Sequence, residues 1–167
     1  MLEGLLRSWH ATSGLPYVAL RYFNVYGPRQ NPKSEYAAVI PRFATACLAD
    51  EAPVVFGDGE QTRDFTYVGD AVAANLLAAD APRAAGEVVN VAGGRRVSLN
   101  ELLGELRRLT GATRAPRHEP ARPGDVRDSL ADLGRARELL GYAPRVELRP
   151  GLARTIESLE SAKEPSS

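Results

Sequence analysis

The feature that most constrains this chain stands at its start, where an amphipathic helix runs into an unbroken β-prone segment. Leu2, Leu5, Leu6 and Trp9 recur at i, i+3, i+4 and i+7 and predict a helix over 1–12, stopped by Gly14 and Pro16. Residues 17–23 then read Tyr-Val-Ala-Leu-Arg-Tyr-Phe, a run suited to a strand covered on both faces. A helix leading into such a strand implies a parallel α/β sheet. One strand makes no sheet, and the rest of the chain offers few further units of this type, so the partner strands are expected outside it. The helix also lacks a Ser, Thr, Asp or Asn cap, as though it opened in mid-pattern.

Beyond Asn24 the signals are shorter. A Gly, Pro, Asn and Ser-rich loop spans 26–36, and a helix is expected over 39–50 with Pro41 in its first turn. Val54-Val55-Phe56 reads as a strand ending in the turn Gly57-Asp58-Gly59, and 65–68 as a further extended piece. Asp70 is expected to begin an Ala-rich helix whose Val72, Leu76 and Leu77 share one face, and 88–91 to form a strand. Ser98 and Glu101 form a capping box, followed by the apolar stripe Leu99, Leu102, Leu103, Leu106 and Leu109, which reads as core. Residues 114–127 are proline-studded and polar, an expected surface strand and loop. Asp132 can cap a helix over 133–140 that Gly141 ends, and Leu152, Ile156 and Leu159 mark a last helix before a polar tail at 161–167.

Composition removes several function classes. With 167 residues, 44% of them hydrophobic, and a formal net charge of +0, the chain has the profile of one globular unit. No stretch approaches the ~20 apolar residues of a membrane span. Cys47 is the single cysteine, which excludes a disulfide scaffold or a thiolate cluster, and no basic-then-apolar leader is visible. A cytoplasmic location is the expectation. Of 21 basic residues only Lys33 and Lys163 are lysines, so the other 19 are arginines, the side chain suited to bidentate contact with phosphate or carboxylate. Acidic residues balance them, which argues against nucleic acid as a partner. Two histidines, His10 and His118, are too few for a histidine metal site or a Ser-His-Asp triad.

Three clusters exceed what packing requires. In Arg21-Tyr-Phe-Asn-Val-Tyr-Gly-Pro-Arg29 a buried strand ends in Asn24, which either caps a turn or stands where ligands gather at the carboxyl ends of parallel strands. Phe56-Gly-Asp-Gly-Glu-Gln-Thr-Arg-Asp-Phe65 and Arg122-Pro-Gly-Asp-Val-Arg127 each place an arginine in a loop that backbone geometry opens to a ligand. Two such guanidinium forks can enclose a diphosphate, and Asp125 suits sugar hydroxyls; read singly, a loop arginine is a solvated charge, and Asp58 or Asp125 a turn former. Gly93-Gly94 fits no phosphate-loop pattern.

In this order, with Val39-Ile-Pro-Arg-Phe43, Tyr67-Val-Gly-Asp70, Asn90-Val91 and Leu139-Leu-Gly-Tyr-Ala-Pro144, the clusters resemble the extended short-chain dehydrogenase/reductase family, specifically its NAD-dependent nucleotide-sugar epimerases and dehydratases typified by UDP-glucose 4-epimerase. The resemblance spans about 2–158 and implies an α/β C-terminal substrate-binding lobe, with one helix and strand of a Rossmann half whose core is absent. The implied division is 1–24 for that residual helix and strand, 25–160 for the nucleotide-sugar lobe and 161–167 for the tail. Glu3 is similar to a family glutamate that lies four residues beyond the catalytic lysine, so Met1 would follow a lysine outside these residues.

By the same resemblance Phe23 would approach the nicotinamide side of NAD and Asn24 the substrate diphosphate. Ala38, Val39, Val54, Val55 and Phe56 would contact uridine, Arg63 and Arg122 would clamp the diphosphate, and Asp125 would hold the ribose. The catalytic Tyr and Lys and the NAD loop have no counterpart, so no catalytic residue is assigned and the chain alone is expected to be inactive. The implied partners are a UDP-hexose, the missing Rossmann half and, in the full-length form, a homodimer mate. Three functions follow: part of a nucleotide-sugar 4-epimerase; the same lobe of a 4,6-dehydratase or a UDP-glucuronate decarboxylase; or a non-catalytic module binding nucleotide sugars or a partner. The loop at 31–36 does not name the hexose, and the unpaired strand predicts poor solubility or self-association.

Overall fold

A computed structural model describes residues 2–31 and 38–162. Residues 32–36 of the expected loop at 26–36 and 163–167 of the expected tail at 161–167 lie outside them. Six helices and eight short strands follow one another in this part of the chain. They are α1 (Leu2–Ser13), β1 (Val18–Tyr22), β2 (Val25–Tyr26), α2 (Val39–Leu48), β3 (Val54–Phe56), β4 (Thr62–Asp64), β5 (Thr66–Tyr67), α3 (Val68–Ala79), β6 (Glu87–Val91), β7 (Arg96–Ser98), α4 (Leu99–Thr110), β8 (Arg117–Glu119), α5 (Gly134–Leu140) and α6 (Leu148–Ser161). No described helix is long and apolar enough to cross a membrane.

The strands pair two by two, and three of the four pairs are parallel: β1 with β6, β2 with β5, and β3 with β8, while β4 and β7 run antiparallel. The first pair corrects an expectation. A partner for β1 exists within the chain, in register from Val18 opposite Glu87 to Tyr22 opposite Val91. The pairing is far from local, so the pattern of neighbouring residues gave no sign of it. Nor is β1 covered on both faces. None of its residues is fully buried; Val18 and Leu20 pack against a core of Ala74, Val89, Val91, Leu133, Ala136, Leu140 and Tyr142, whereas Arg21 and Tyr22 are exposed.

A second core lies under the rest of the molecule. Ile40, Phe43 and Cys47 of α2 meet Leu102, Leu103 and Leu106 of α4 and Leu152 and Ile156 of α6, with Val55, Phe65 and Val97 between them. Ser98 caps α4 as expected, its Oγ accepting from Glu101 N at 3.0 Å, while the Glu101 carboxylate pairs with Arg95 instead of completing the box; Gly111 ends α4 in the left-handed region at φ 74°. Asp132 Oδ1 accepts from Gly134 N at 2.8 Å at the start of α5, and Gly141 closes that helix.

Helix α3 departs from its reading in two ways. It begins at Val68 rather than Asp70, and Val72 and Leu76 face solvent while Ala71 and Ala74 are buried. Small residues let α3 lie close to the body, and its larger apolar side chains are left outside. Asp70, now inside the first turn and 3% exposed, accepts from Arg145 N at 3.0 Å and Val146 N at 3.2 Å, which fixes the approach to α6.

Candidate functional site

Asn24 sits where β1 gives way to β2, and its φ of 38° lies in the left-handed region that asparagine tolerates better than most residues. Strain of that kind persists where the surroundings enforce it. Here Asn24 O accepts from Thr66 N at 3.2 Å, and Asn24 Nδ2 donates to Asp64 O at 3.1 Å. The side chain is thereby held at the carboxyl end of the strand, with its Oδ1 and second amide hydrogen still to spend.

Asp64 is fully buried and serves as a junction. Its Oδ1 accepts from Gly94 N at 2.9 Å and its Oδ2 from Ala131 N at 3.1 Å, so backbone donors carry its charge while burial raises its pKa. Gly93 must be glycine, since a Cβ there would lie 2.3 Å from Phe65 O. The Gly93-Gly94 pair is thus a packed turn after β6 that supplies a donor to Asp64. Across the lobe, Gly59 (φ 80°) likewise leaves no room for a Cβ, which would meet Asn100 Oδ1 at 2.1 Å. That close approach lets Asn100 Nδ2 bond Asp58 O at 3.0 Å and Glu60 at 2.6 Å, which shapes the turn between β3 and β4.

These elements enclose a cavity of about 240 Å³ between α2, β3, β4 and the loop after β8. Eight of the ten residues singled out from the sequence line it: Asn24, Ala38, Val39, Val54, Phe56, Arg63, Arg122 and Asp125. Val55 does not. Strand alternation sends its side chain into the core, fully buried, while Val54 and Phe56 face the cavity. Phe23 is also outside the lining; its N donates to Val91 O at 3.0 Å, its carbonyl accepts from Thr66 Oγ1, and its ring packs against the β6 core.

Charge and shape in the cavity are uneven. Arg42, Arg63 and Arg122 line it against the single carboxylate of Asp125, so its walls favour an anion. The Arg122 guanidinium stacks 3.8 Å above the centre of the Phe56 ring. Arg63 Nη2 donates to Asp125 Oδ1 at 2.6 Å, and its Nη1 to the carbonyls of Val126 at 2.6 Å and Thr62 at 2.8 Å. Asp58, the other candidate turn aspartate, faces away from the lining. It pairs with both η nitrogens of Arg127 at 2.7 and 2.9 Å, which hold its carboxyl down at about 2, and it accepts from Glu60 N.

Sequence reasoning missed Arg42 and Gln61. Both stand inside segments already singled out, Arg42 one residue after Pro41 and Gln61 two before Arg63; helical phase could have placed Arg42 on the face of Val39. Gln61 donates from Nε2 to Phe56 O at 2.6 Å, and its buried Oε1 has no hydrogen-bond partner among the described residues. A larger cavity of about 740 Å³ opens between β1 and α3, lined by Pro16, Val18, Leu20, Tyr22 and Ala78 among others, and it holds none of the singled-out residues.

The sequence profile of the NAD dependent epimerase/dehydratase family matches residues 1–92. UDP-glucose 4-epimerase of Mycolicibacterium smegmatis is 43% identical over 134 residues, covering 80% of this chain and 42% of its own length. UDP-N-acetyl-alpha-D-glucosaminuronate decarboxylase of Bacillus cytotoxicus is 36% identical over 162 residues, covering 93% of this chain and 50% of its own. Among solved structures, UDP-glucose 4-epimerase of Thermotoga maritima with UDP-glucose superposes with a TM-score of 0.92 at 42% identity, covering 97% of this chain and 52% of that one. The chain thus spans about half the length of the relatives it matches. With the profile covering more than half of its residues and the fold reproduced across nearly all of them, this α/β chain belongs to the NAD-dependent epimerase/dehydratase family.

Proposed function

We propose that the cavity holds the nucleotide diphosphate half of a UDP-sugar, and that the chain is the nucleotide-sugar-binding part of an NAD-dependent 4-epimerase of the UDP-glucose 4-epimerase type. One observation carries the reading: Arg63, Arg122 and Asn24, from three separate segments, line one cavity with a positive balance of charge. Arg63 and Arg122 clamp the diphosphate and the Asn24 amide adds a neutral contact. Asp125 accepts from ribose hydroxyls. Ala38, Val39, Val54 and Phe56 form the apolar wall for the uracil ring, with Val55 offering only its backbone.

Phe23 fits the cofactor side. It ends the parallel strand pair at the carboxyl edge, where ligands of open α/β sheets lie, and is adjacent in sequence to Asn24. NAD, when bound, supplies the hydride acceptor for oxidation at the sugar carbon. By role, then, residues 1–24 serve the cofactor side, 25–160 the nucleotide sugar, and 161–167 form a tail; no catalytic residue is assigned, and turnover requires the cofactor-binding half. Assembly of the whole protein as a homodimer belongs to the same reading.

Calorimetric titration with UDP tests it. Binding is expected in the micromolar to millimolar range typical of a half-site, weakened about tenfold or more by either Arg63→Ala or Arg122→Ala. UDP affinity untouched by both substitutions would sink the reading. A dehydratase or decarboxylase is the second reading, favoured by the similarity to the Bacillus cytotoxicus decarboxylase over nearly the whole chain. Product analysis after a cofactor-binding half is supplied separates it from epimerisation.

A further inference from the structure

Arg63 faces the cavity, yet the carboxylate of this same chain already holds one of its terminal nitrogens. Its side chain is 17% exposed, and that of Asp125 41%, so the ion pair is half sheltered rather than free in solvent. The segment carrying Asp125 is anchored at its far end: Thr62 N donates to Arg127 O at 2.8 Å, Thr62 Oγ1 to Asp128 at 2.7 Å, and Arg127 grips Asp58. The tip is a tight turn, Asp125 N donating to Arg122 O at 3.2 Å with Gly124 at φ 78°. It meets the body of the lobe through Arg63 and through Arg122 stacked on Phe56. An anion that takes Nη2 from the cavity side therefore competes with a carboxylate held close by by a short, anchored loop, at a high effective concentration.

We propose that Asp125 is an internal competitor for Arg63, a built-in carboxylate that an entering diphosphate displaces, so that ligand capture and release of the Asp125 carboxylate are one event. The inference rests on the proposed nucleotide-diphosphate reading of the cavity. Its consequence is selectivity. A small monoanion exchanging with Asp125 replaces one single charge by another and gains little, whereas a pyrophosphate group brings more charge and more acceptor oxygens to the same fork. The Nη1 bonds to Thr62 and Val126 need not break, because each η nitrogen has two hydrogens. Asp125 thereby sets the threshold an anion must exceed, and the freed carboxylate becomes available to the sugar hydroxyls beside the diphosphate.

Inorganic pyrophosphate, which has neither base nor ribose, isolates this role. Titrated calorimetrically into the 167-residue chain, it should bind Asp125→Asn about three- to fivefold more tightly than the unaltered protein, the range expected for removing a partly exposed ion-pair partner. Asp125→Ala should move the same way. Glu119→Gln removes an equal charge three residues before Arg122, from a carboxylate paired with Arg117 rather than with Arg63 or the loop's anchors, and should leave the affinity unchanged. Pyrophosphate binding that is equal or weaker in both Asp125 variants, or an equal gain in Glu119→Gln, overturns the competitor role. A parallel UDP titration keeps the two ideas apart: absence of UDP binding to the unaltered chain sinks the nucleotide reading, whereas UDP binding without a pyrophosphate gain sinks only the competitor.

Discussion

The cavity side and the α1–β1–α3 side of this molecule have reached different degrees of burial. Around the cavity, α2, α4 and α6 close over Leu102, Leu106 and Leu152, all fully buried, and the capping and turn bonds are in place. On the other side α1 contributes no buried residue; Leu2, Leu5 and Trp9 are 77%, 64% and 59% exposed, and Val72 and Leu76 of α3 stand out as well. Both sides show the same helical periodicity. What differs is whether a complementary surface exists among the described residues, and an apolar stripe in a sequence announces a need for cover without saying where the cover is.

The largest expected effect tests that contrast directly. Leu102→Ala should cost about 2–5 kcal/mol in denaturant unfolding, while Leu5→Ala on α1 stays within about 0.5 kcal/mol. Equal costs would break the comparison. Next comes Asp70, whose carboxylate joins the exposed helix to the covered side; Asp70→Ala strands the amides of Arg145 and Val146 and should cost about 1–3 kcal/mol by the same measurement.

Leu5→Glu with Trp9→Glu should lower self-association in sedimentation velocity while leaving the melting temperature nearly unchanged, and a lost melt would show that α1 is more tightly integrated than its exposure says. The smallest effect is a pH dependence. Asp58 is held at about 2 in the folded protein against an ordinary 3.8, so its contribution is present above about pH 4 and is lost as pH falls towards 2. Arg127→Gln should flatten that part of the stability curve.

Much of this was legible in the sequence because it is local. The Ser98–Glu101 cap, the leucine stripe of α4, the left-handed glycines at 111 and 141 and the turn at Gly57-Asp58-Gly59 each follow from residues a few positions apart. The eight residues that meet in the cavity were found by the order of their segments, not by any single spacing. The pairing of β1 with β6 and the inward phase of Val55 depend on which surfaces meet across the fold, and short strands carry too few residues to declare it. For α3, alanine obscured the signal: the apolar face read from Val72, Leu76 and Leu77 is the outer one, since small side chains secure close packing without a large apolar stripe.

The cavity wall carries three guanidinium groups and not one imidazole among its described residues. A guanidinium keeps its proton at any pH a folded protein survives, and Tyr26, the phenol in the same wall, is pushed upward by burial. From about pH 6 to 9 the attraction of this pocket for anions therefore has no protonic switch of its own. A bend in affinity measured there reports the second ionisation of the ligand's terminal phosphate, near pH 6, and makes the titration curve a reading of the guest rather than the host.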